Sequence, residues 1–296
     1  MKLIKIQKGG VIILSAFIVG EVALRCYGFA HAPLYFSSDQ YEYMACPNQD
    51  GVRFGNHYHY NSYSQRSEEP DSSKTIVLGL GDSVIFGGVQ TDQDDLATSL
   101  FTKETGMQML NISAGSWGPD NCAAYLKEKG LFNAKAMLLL VSSHDVHDNM
   151  DFQPTVGVHP SYPDKQYVLA WGELINRYLW PRLFPDKKEK ADPDQQVLAG
   201  IHKKGKEFNP GFAELKTIAD SAGISLTIYL HAEQLEMKEG KYNSQGNEII
   251  TWAKENGVRL IKELDYHFTK DDYRDAIHLN KNGQRKLATI MENIYR

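Results

Sequence analysis

A chain of 296 residues with 42% hydrophobic and 23% charged side chains is long enough to bury one sizeable core and is ordinary for a globular protein. A formal net charge of −5 excludes the basic footprint of a nucleic-acid binder and makes neutral regions of a substrate easier partners than anionic lipid or polymer. Three cysteines without a Cys-x-x-Cys pair exclude a zinc ribbon and leave room for at most one internal bridge, Cys46 with Cys122, or for unpaired thiols.

Lys2, Lys5 and Lys8 precede the apolar run Val11–Gly20, and Val22-Ala23-Leu24 continue it across Glu21. Apolar side chains cover every face of such a helix, which argues against an amphipathic soluble one. Basic residues ahead of an apolar run stay in the cytoplasm. Ala30-His31-Ala32 is followed by Pro33, a poor residue after a cleavage site, so residues 1–28 read as an uncleaved transmembrane anchor in preference to a cleaved signal segment. That places the rest of the chain outside the cytoplasm, as a single-pass protein of the inner membrane.

Residues 29–73, rich in Tyr, Ser, Asn and Gln with little periodicity, read as an irregular extension. From residue 74 onward strand and helix patterns alternate. Strands are expected at Thr75–Leu80, Met109–Ser113, Ala136–Ser142, Ile224–Leu230 and Val258–Ile261. Helices are expected from about Asp92, near Asn121–Lys129, at Phe212–Ala222 and Glu248–Asn256, and after Asn280 with Leu287, Ile290, Met291 and Ile294 on one face. This rhythm predicts an α/β fold of three layers, α/β/α, around a parallel sheet whose ligand site lies beyond the carboxyl ends of its strands. The stretch of about 148–206 is too long for a plain connection. With six prolines and Trp171, Tyr178 and Trp180 it reads as a lid-like insertion containing a short helix around Ala170–Leu179, and its run Lys187–Lys190 with Asp192 and Asp194 as a solvated loop.

Gly81-Asp82-Ser83 closes the first of these strands, and Asp275-Ala276-Ile277-His278 stands just before the last helix. A serine at a strand's carboxyl end is placed like a nucleophile, and an Asp-x-x-His on one loop can supply a base and the acid that orients it. In motif order, over about Lys74 to Arg296, the chain resembles the SGNH (GDSL) hydrolases, and in particular membrane-anchored members associated with bacterial exopolysaccharide biosynthesis. The resemblance implies a flavodoxin-like strand order and Ser83, His278 and Asp275 as nucleophile, base and orienting acid. Two blocks depart from the family pattern. Where Asn-x-Gly-x-x-Gly is usual, Asn111-Ile112-Ser113-Ala114-Gly115-Ser116 puts Ser116 in the register of the second glycine. Where Gly-x-Asn-Asp is usual, Ser142-Ser143-His144-Asp145 puts His144 in the place of the Asn.

The expected chemistry is acyl transfer. His278 takes the Ser83 proton during attack on an ester carbonyl, and Asp275 fixes the imidazole tautomer. Backbone N–H groups of Ser83 and of Gly115 or Ser116, with the His144 ring in place of the family's Asn, are expected to meet the oxyanion. The resemblance implies a serine esterase that removes O-acyl, chiefly acetyl, groups from a cell-surface or secreted polysaccharide, with proteins of polysaccharide assembly as further partners. An O-acyltransferase using the same triad and a non-catalytic glycan-binding or assembly subunit are the alternatives. His144-Asp145-Val146-His147-Asp148 resembles a metal-ligand run, but nothing else in the sequence completes it. No metal, no cofactor and no nucleotide loop is therefore expected.

Overall fold

The computed structural model describes residues 2–184, 201, 203 and 205–296. The expected run Lys187–Lys190 with Asp192 and Asp194 lies outside the described residues, as do the side chains of Lys2, Lys5 and Lys8.

Five parallel strands form the central sheet: β5 (Ile76–Gly81), β6 (Gln108–Ser113), β7 (Ala136–Val141), β8 (Ser225–Leu230) and β9 (Arg259–Lys262), in the order β6-β5-β7-β8-β9. All four pairings are parallel, and β5 is flanked on both sides. Alternation along each strand divides the core. Ile76, Leu78, Leu80, Met137, Leu139 and Val141 face one layer, with helix α4 (Pro119–Lys129) and the helices Gly211–Ala222 and Ser244–Glu255. Val77, Leu138 and Leu140 face the other, with helix α3 (Ala97–Thr105) and the terminal helix Lys281–Tyr295. The result is the expected α/β/α sandwich. Because β6 and β7 leave from opposite sides of β5, the crevice where ligands settle opens at the carboxyl ends of β5 and β7.

Two expectations need correction. Residues 29–73 are not irregular: they carry two antiparallel hairpins, β1 (Tyr35–Ser38) with β2 (Glu42–Ala45) and β3 (Gln49–Arg53) with β4 (Asn56–Tyr60). Their buried faces are built largely of tyrosines, Tyr35, Tyr41, Tyr43, Tyr58 and Tyr60, whose polar tips blur the apolar alternation by which strands are recognised.

The amino terminus does form a helix, α1 (Lys2–Cys26), but among the described residues no helix is long and apolar enough to cross a membrane. Its uninterrupted apolar run stops after the ten residues Val11–Gly20, against about 20 needed for a span. The next turn is committed to protein. Glu21 accepts hydrogen bonds from the Ala170 and Trp171 amides at 2.8 and 3.1 Å, capping the lid helix. Arg25 pairs with Glu21 at 2.8 Å and donates to the Val168 carbonyl at 2.6 Å. Trp171 stacks on Phe17 at 5.9 Å. Cys26, Cys46 and Cys122 are all unpaired thiols.

Candidate active site

The turn that presents Ser83 follows from local rules. Gly81 lies at φ 154°, and a Cβ there would fall 2.4 Å from the Leu140 carbonyl oxygen of β7, so only glycine lets the two strands end this close together. Asp82 is extended and caps the single helical turn α2 (Ser83–Phe86), its Oδ1 accepting from the Val84 amide at 2.8 Å. Asn111, wholly buried, donates to the Ile85 carbonyl at 2.9 Å and to Thr98 Oγ1 at 3.2 Å, tying the turn to β6 and α3. The first two sequence blocks thus act as a clamp on the serine.

The structure brings Ser83, His278 and Asp275 together. Ser83 Oγ lies 2.9 Å from His278 Nε2, and His278 Nδ1 lies 3.0 and 2.9 Å from the two Asp275 carboxylate oxygens. Asp275 Oδ1 also accepts from the amides of Ile277 and His278 at 3.1 and 2.7 Å. Burial works against ionisation of Asp275, but the His278 bond and these amides prevail and hold its acidity well beyond the ordinary carboxyl range. The three-residue spacing accounts for this: one tight loop lets the carboxylate reach both the ring and the backbone of the histidine.

That loop is itself gripped by the end of β8. His231, fully buried, is bonded through Nδ1 to Glu263 and through Nε2 to the Ile277 carbonyl, both at 2.7 Å. Burial opposes a charge on this ring, but Glu263 and the Ile277 carbonyl favour it and lift its pKa to about 9. The Gln234 side chain donates to the Asp275 carbonyl at 2.8 Å. Arg274 reaches the other way, to the Gly87 carbonyl at 3.0 Å and Thr91 Oγ1 at 3.1 Å, fixing the acid's loop to the segment after the nucleophile.

Gly115 and Ser116 line the cavity with Ser83. The Gly115 carbonyl accepts from the Tyr43 hydroxyl and the Tyr162 hydroxyl, each at 2.8 Å. In a planar trans peptide the following N–H points opposite to the carbonyl, so two phenols on the oxygen fix the direction of the Ser116 N–H. Burial pushes the Tyr162 phenol up to about 12 and that of Tyr43 well above its ordinary range, which leaves both as neutral donors. Ser116 itself sits at φ 57°, the left-handed conformation in which glycine is at ease. Its hydroxyl accepts from the Ile201 amide at 3.2 Å.

His144 is not brought to the cavity wall. Its Nδ1 lies 3.1 Å from Glu233 Oε1, and its Nε2 faces Asp145 Oδ1 at 3.6 Å and Asp148 Oδ2 at 4.0 Å. Burial disfavours charge on this ring, yet Asp145, the Glu233 bond and Asp148 outweigh it and raise its pKa to about 10. The ring is turned toward a carboxylate cluster behind the nucleophile, and this geometry gives it no oxyanion to meet.

The cavity over Ser83 has a volume of about 390 Å³ and draws its walls from three parts of the chain. Phe86 and Arg274 come from the sheet domain, Phe54 from the hairpins, and Tyr162 and Tyr178 from the insertion. Insertion and hairpins are locked by a buried ion pair between Arg53 and Glu173, in which Glu173 also accepts from the Ala30 amide at 2.6 Å. Of the insertion's aromatic rings Trp171, Tyr178 and Trp180, Tyr178 reaches the cavity. Trp171 is spent on Phe17, and Trp180 packs on Phe184 at 4.4 Å. No motif marks Tyr43 or Tyr162 in the sequence: the density of tyrosines in residues 29–73 is the one trace of Tyr43, and Tyr162 lies outside that stretch.

No family model matches the chain, and no curated protein matches it. Among solved structures it is similar to a putative lipolytic protein of the G-D-S-L family from Desulfitobacterium hafniense, at 10% identity and TM-score 0.42 over 75% of this chain and 99% of that one. It is also similar to an aryl esterase of M. smegmatis, at 11% identity and TM-score 0.44 over 74% and 97%. A third likeness is to a carbohydrate acetylesterase family member from Sinorhizobium meliloti, at 13% identity and TM-score 0.39 over 75% and 97%.

Proposed function

We propose that the protein is a serine esterase that removes O-acyl groups, acetyl foremost, from a polysaccharide through an acyl-enzyme on Ser83. The observation that carries this reading is the continuous relay Asp275–His278–Ser83, with links of 2.9 and 2.9 Å, opening into an aromatic-walled cavity. With Nδ1–H directed to Asp275, His278 presents its Nε2 lone pair to the serine hydroxyl. It takes that proton as Oγ attacks the ester carbonyl and returns it to the departing sugar oxygen. The oxyanion faces the Ser116 and Ser83 amides, each donor of this kind contributing about 3 kcal/mol to lowering the barrier. Water then enters, is deprotonated by the same ring as it attacks the acyl carbon, and the Ser83 Oγ–acyl bond breaks, releasing the carboxylic acid while His278 returns the proton to Oγ. Phe54, Phe86 and Tyr178 line the cavity, and aromatic walls of this kind support a glycan in preference to an aliphatic ester.

The location is part of the proposal. The exposed aliphatic side chains of α1, among them Ile12, Ile13, Val19 and Val22, support attachment of the chain to a membrane; we take this to be the inner membrane, with the catalytic domain outside the cytoplasm and near proteins of polysaccharide assembly. Incubation with p-nitrophenyl acetate and with an acetylated glycan tests the chemistry. Free acetate, lost in Ser83→Ala together with fluorophosphonate labelling, is the expected result. New sugar esters in place of acetate would identify an acyltransferase, and silence with both substrates a glycan-binding subunit.

A further inference from the structure

Behind the nucleophile, at the adjoining ends of β5 and β7, three side chains converge from two strands. One ligand-capable atom from each of Asp82, His144 and Asp145 lies within 4.8 Å of the other two. The two carboxylates are 2% and 1% exposed, and Asp82 Oδ2 and Asp145 Oδ1 are both buried without a hydrogen-bond partner. An ionised oxygen stripped of water and left unpaired is costly, and two in one cluster are more so.

The remaining atom of each group is held in place. Asp82 Oδ1 accepts from the Val84 amide at 2.8 Å, Asp145 Oδ2 accepts from the Ser142 amide at 2.7 Å, and His144 Nδ1 is bonded to Glu233 at 3.1 Å. A carboxylate behind one ring nitrogen, which turns the other toward a pair of carboxylates, is the outer-shell pattern that orients metal-binding histidines. A proton on the ring does not satisfy the orphaned oxygens, because Nε2 at 3.6 Å from Asp145 Oδ1 stands beyond hydrogen-bond reach. The same separation suits two ligands of one cation bound at about 2.0–2.2 Å to each.

We propose that Asp82 Oδ2, Asp145 Oδ1 and His144 Nε2 form a binding site for a single first-row divalent cation, with Asp148 as a nearby third carboxylate. One imidazole and two or three carboxylates select the manganese and zinc class over calcium or magnesium, which take oxygen ligands alone. The half-exposed His144 is the door. Because Asp82 also caps the turn that carries Ser83, the cation pins the nucleophile's turn to the end of β7.

The test is titration of the full chain, stripped with a chelator, with Mn²⁺ followed by electron paramagnetic resonance, and with Zn²⁺ as competitor. The His57→Gln/His59→Gln background is used, since those rings share Asp50 on the surface at 3.1 and 3.0 Å and offer an unrelated site. One Mn²⁺ per chain and a raised melting temperature are expected. Asp145→Asn, which keeps the shape, and His144→Asn, at a half-exposed position, should each weaken binding at least tenfold, and Glu233→Gln by about 10- to 100-fold. Ser83→Ala should bind as well as the parent, so this result is independent of the esterase reading. No uptake by the stripped protein, or uptake unchanged in folded Asp145→Asn and His144→Asn, overturns the proposal.

Discussion

Removing the Tyr43 and Tyr162 hydroxyls tests whether the Ser116 amide is aimed by the two phenols on the Gly115 carbonyl. Phenylalanine at either position keeps the ring contacts, Tyr43 on Tyr162 at 4.9 Å and Tyr162 on Tyr35 at 5.0 Å, and deletes one 2.8 Å bond. A bond of this kind contributes about 1 kcal/mol, and in a single variant the second phenol still holds the same oxygen, so kcat should fall only about 3- to 10-fold. The double variant frees the peptide. The whole value of one oxyanion donor, about 3 kcal/mol, is then at risk, and kcat should fall by about 10²-fold or more, exceeding the product of the single effects because both bonds share one acceptor. The half-buried carbonyl also loses both protein donors, at up to about 1–3 kcal/mol of stability. Steady-state kinetics on p-nitrophenyl acetate, with melting temperature in parallel, separate the two effects: KM should stay near the parent value while kcat drops. A folded double variant with unchanged kcat, or one altered only in KM, would refute this account of the oxyanion site.

At Ser116 the left-handed backbone makes glycine acceptable, since relief of about 1–2 kcal/mol of strain offsets the lost hydroxyl bond and the freer unfolded chain. Ser116→Gly should therefore melt within a few degrees of the parent and remain active, whereas branched Ser116→Val should lose activity in the same assay. Glu173→Ala strands the buried Arg53 charge and should cost about 3–5 kcal/mol in urea unfolding, whereas an effect under about 1 kcal/mol would remove the pair from its role as the lock between insertion and hairpins. His231 has its pKa raised in the folded state, so its stabilising contribution is complete below the unfolded value of about 6.5 and disappears as pH rises through about 9. Unfolding free energies between pH 6.5 and 9.5 should decline for the parent more steeply than for His231→Gln, and equal slopes would contradict the assignment of that proton.

The sheet, its helices and the two ends of the relay were readable from residues alone because each depends on neighbours in sequence. Continuous apolar runs such as Ala136–Val141, too short for a helix and set in an alternation with helical patterns, read as strands buried on both faces, and Asp275 reaches His278 because it stands three residues before it on one loop. Boundaries moved where a side chain, not a pattern, decides: the helix expected from Asp92 begins at Ala97, since Asp92 caps a short 3₁₀ turn of its own at Gln93–Asp95. What the tertiary structure decided are contacts between distant segments. Tyr43 and Tyr162 meet at a carbonyl 72 and 47 residues away, and neither has a local pattern to announce it. The direction of the His144 ring is likewise undetermined by sequence, because its position beside Asp145 says nothing about Glu233, 89 residues on, which holds Nδ1 and turns Nε2 toward Asp145 and Asp148. Hydropathy reads α1 as a membrane span because it weighs side chains one by one. It cannot register that Glu21 and Arg25 are committed to amides and a carbonyl of the insertion, partners some 143 to 150 residues away that only the folded chain supplies.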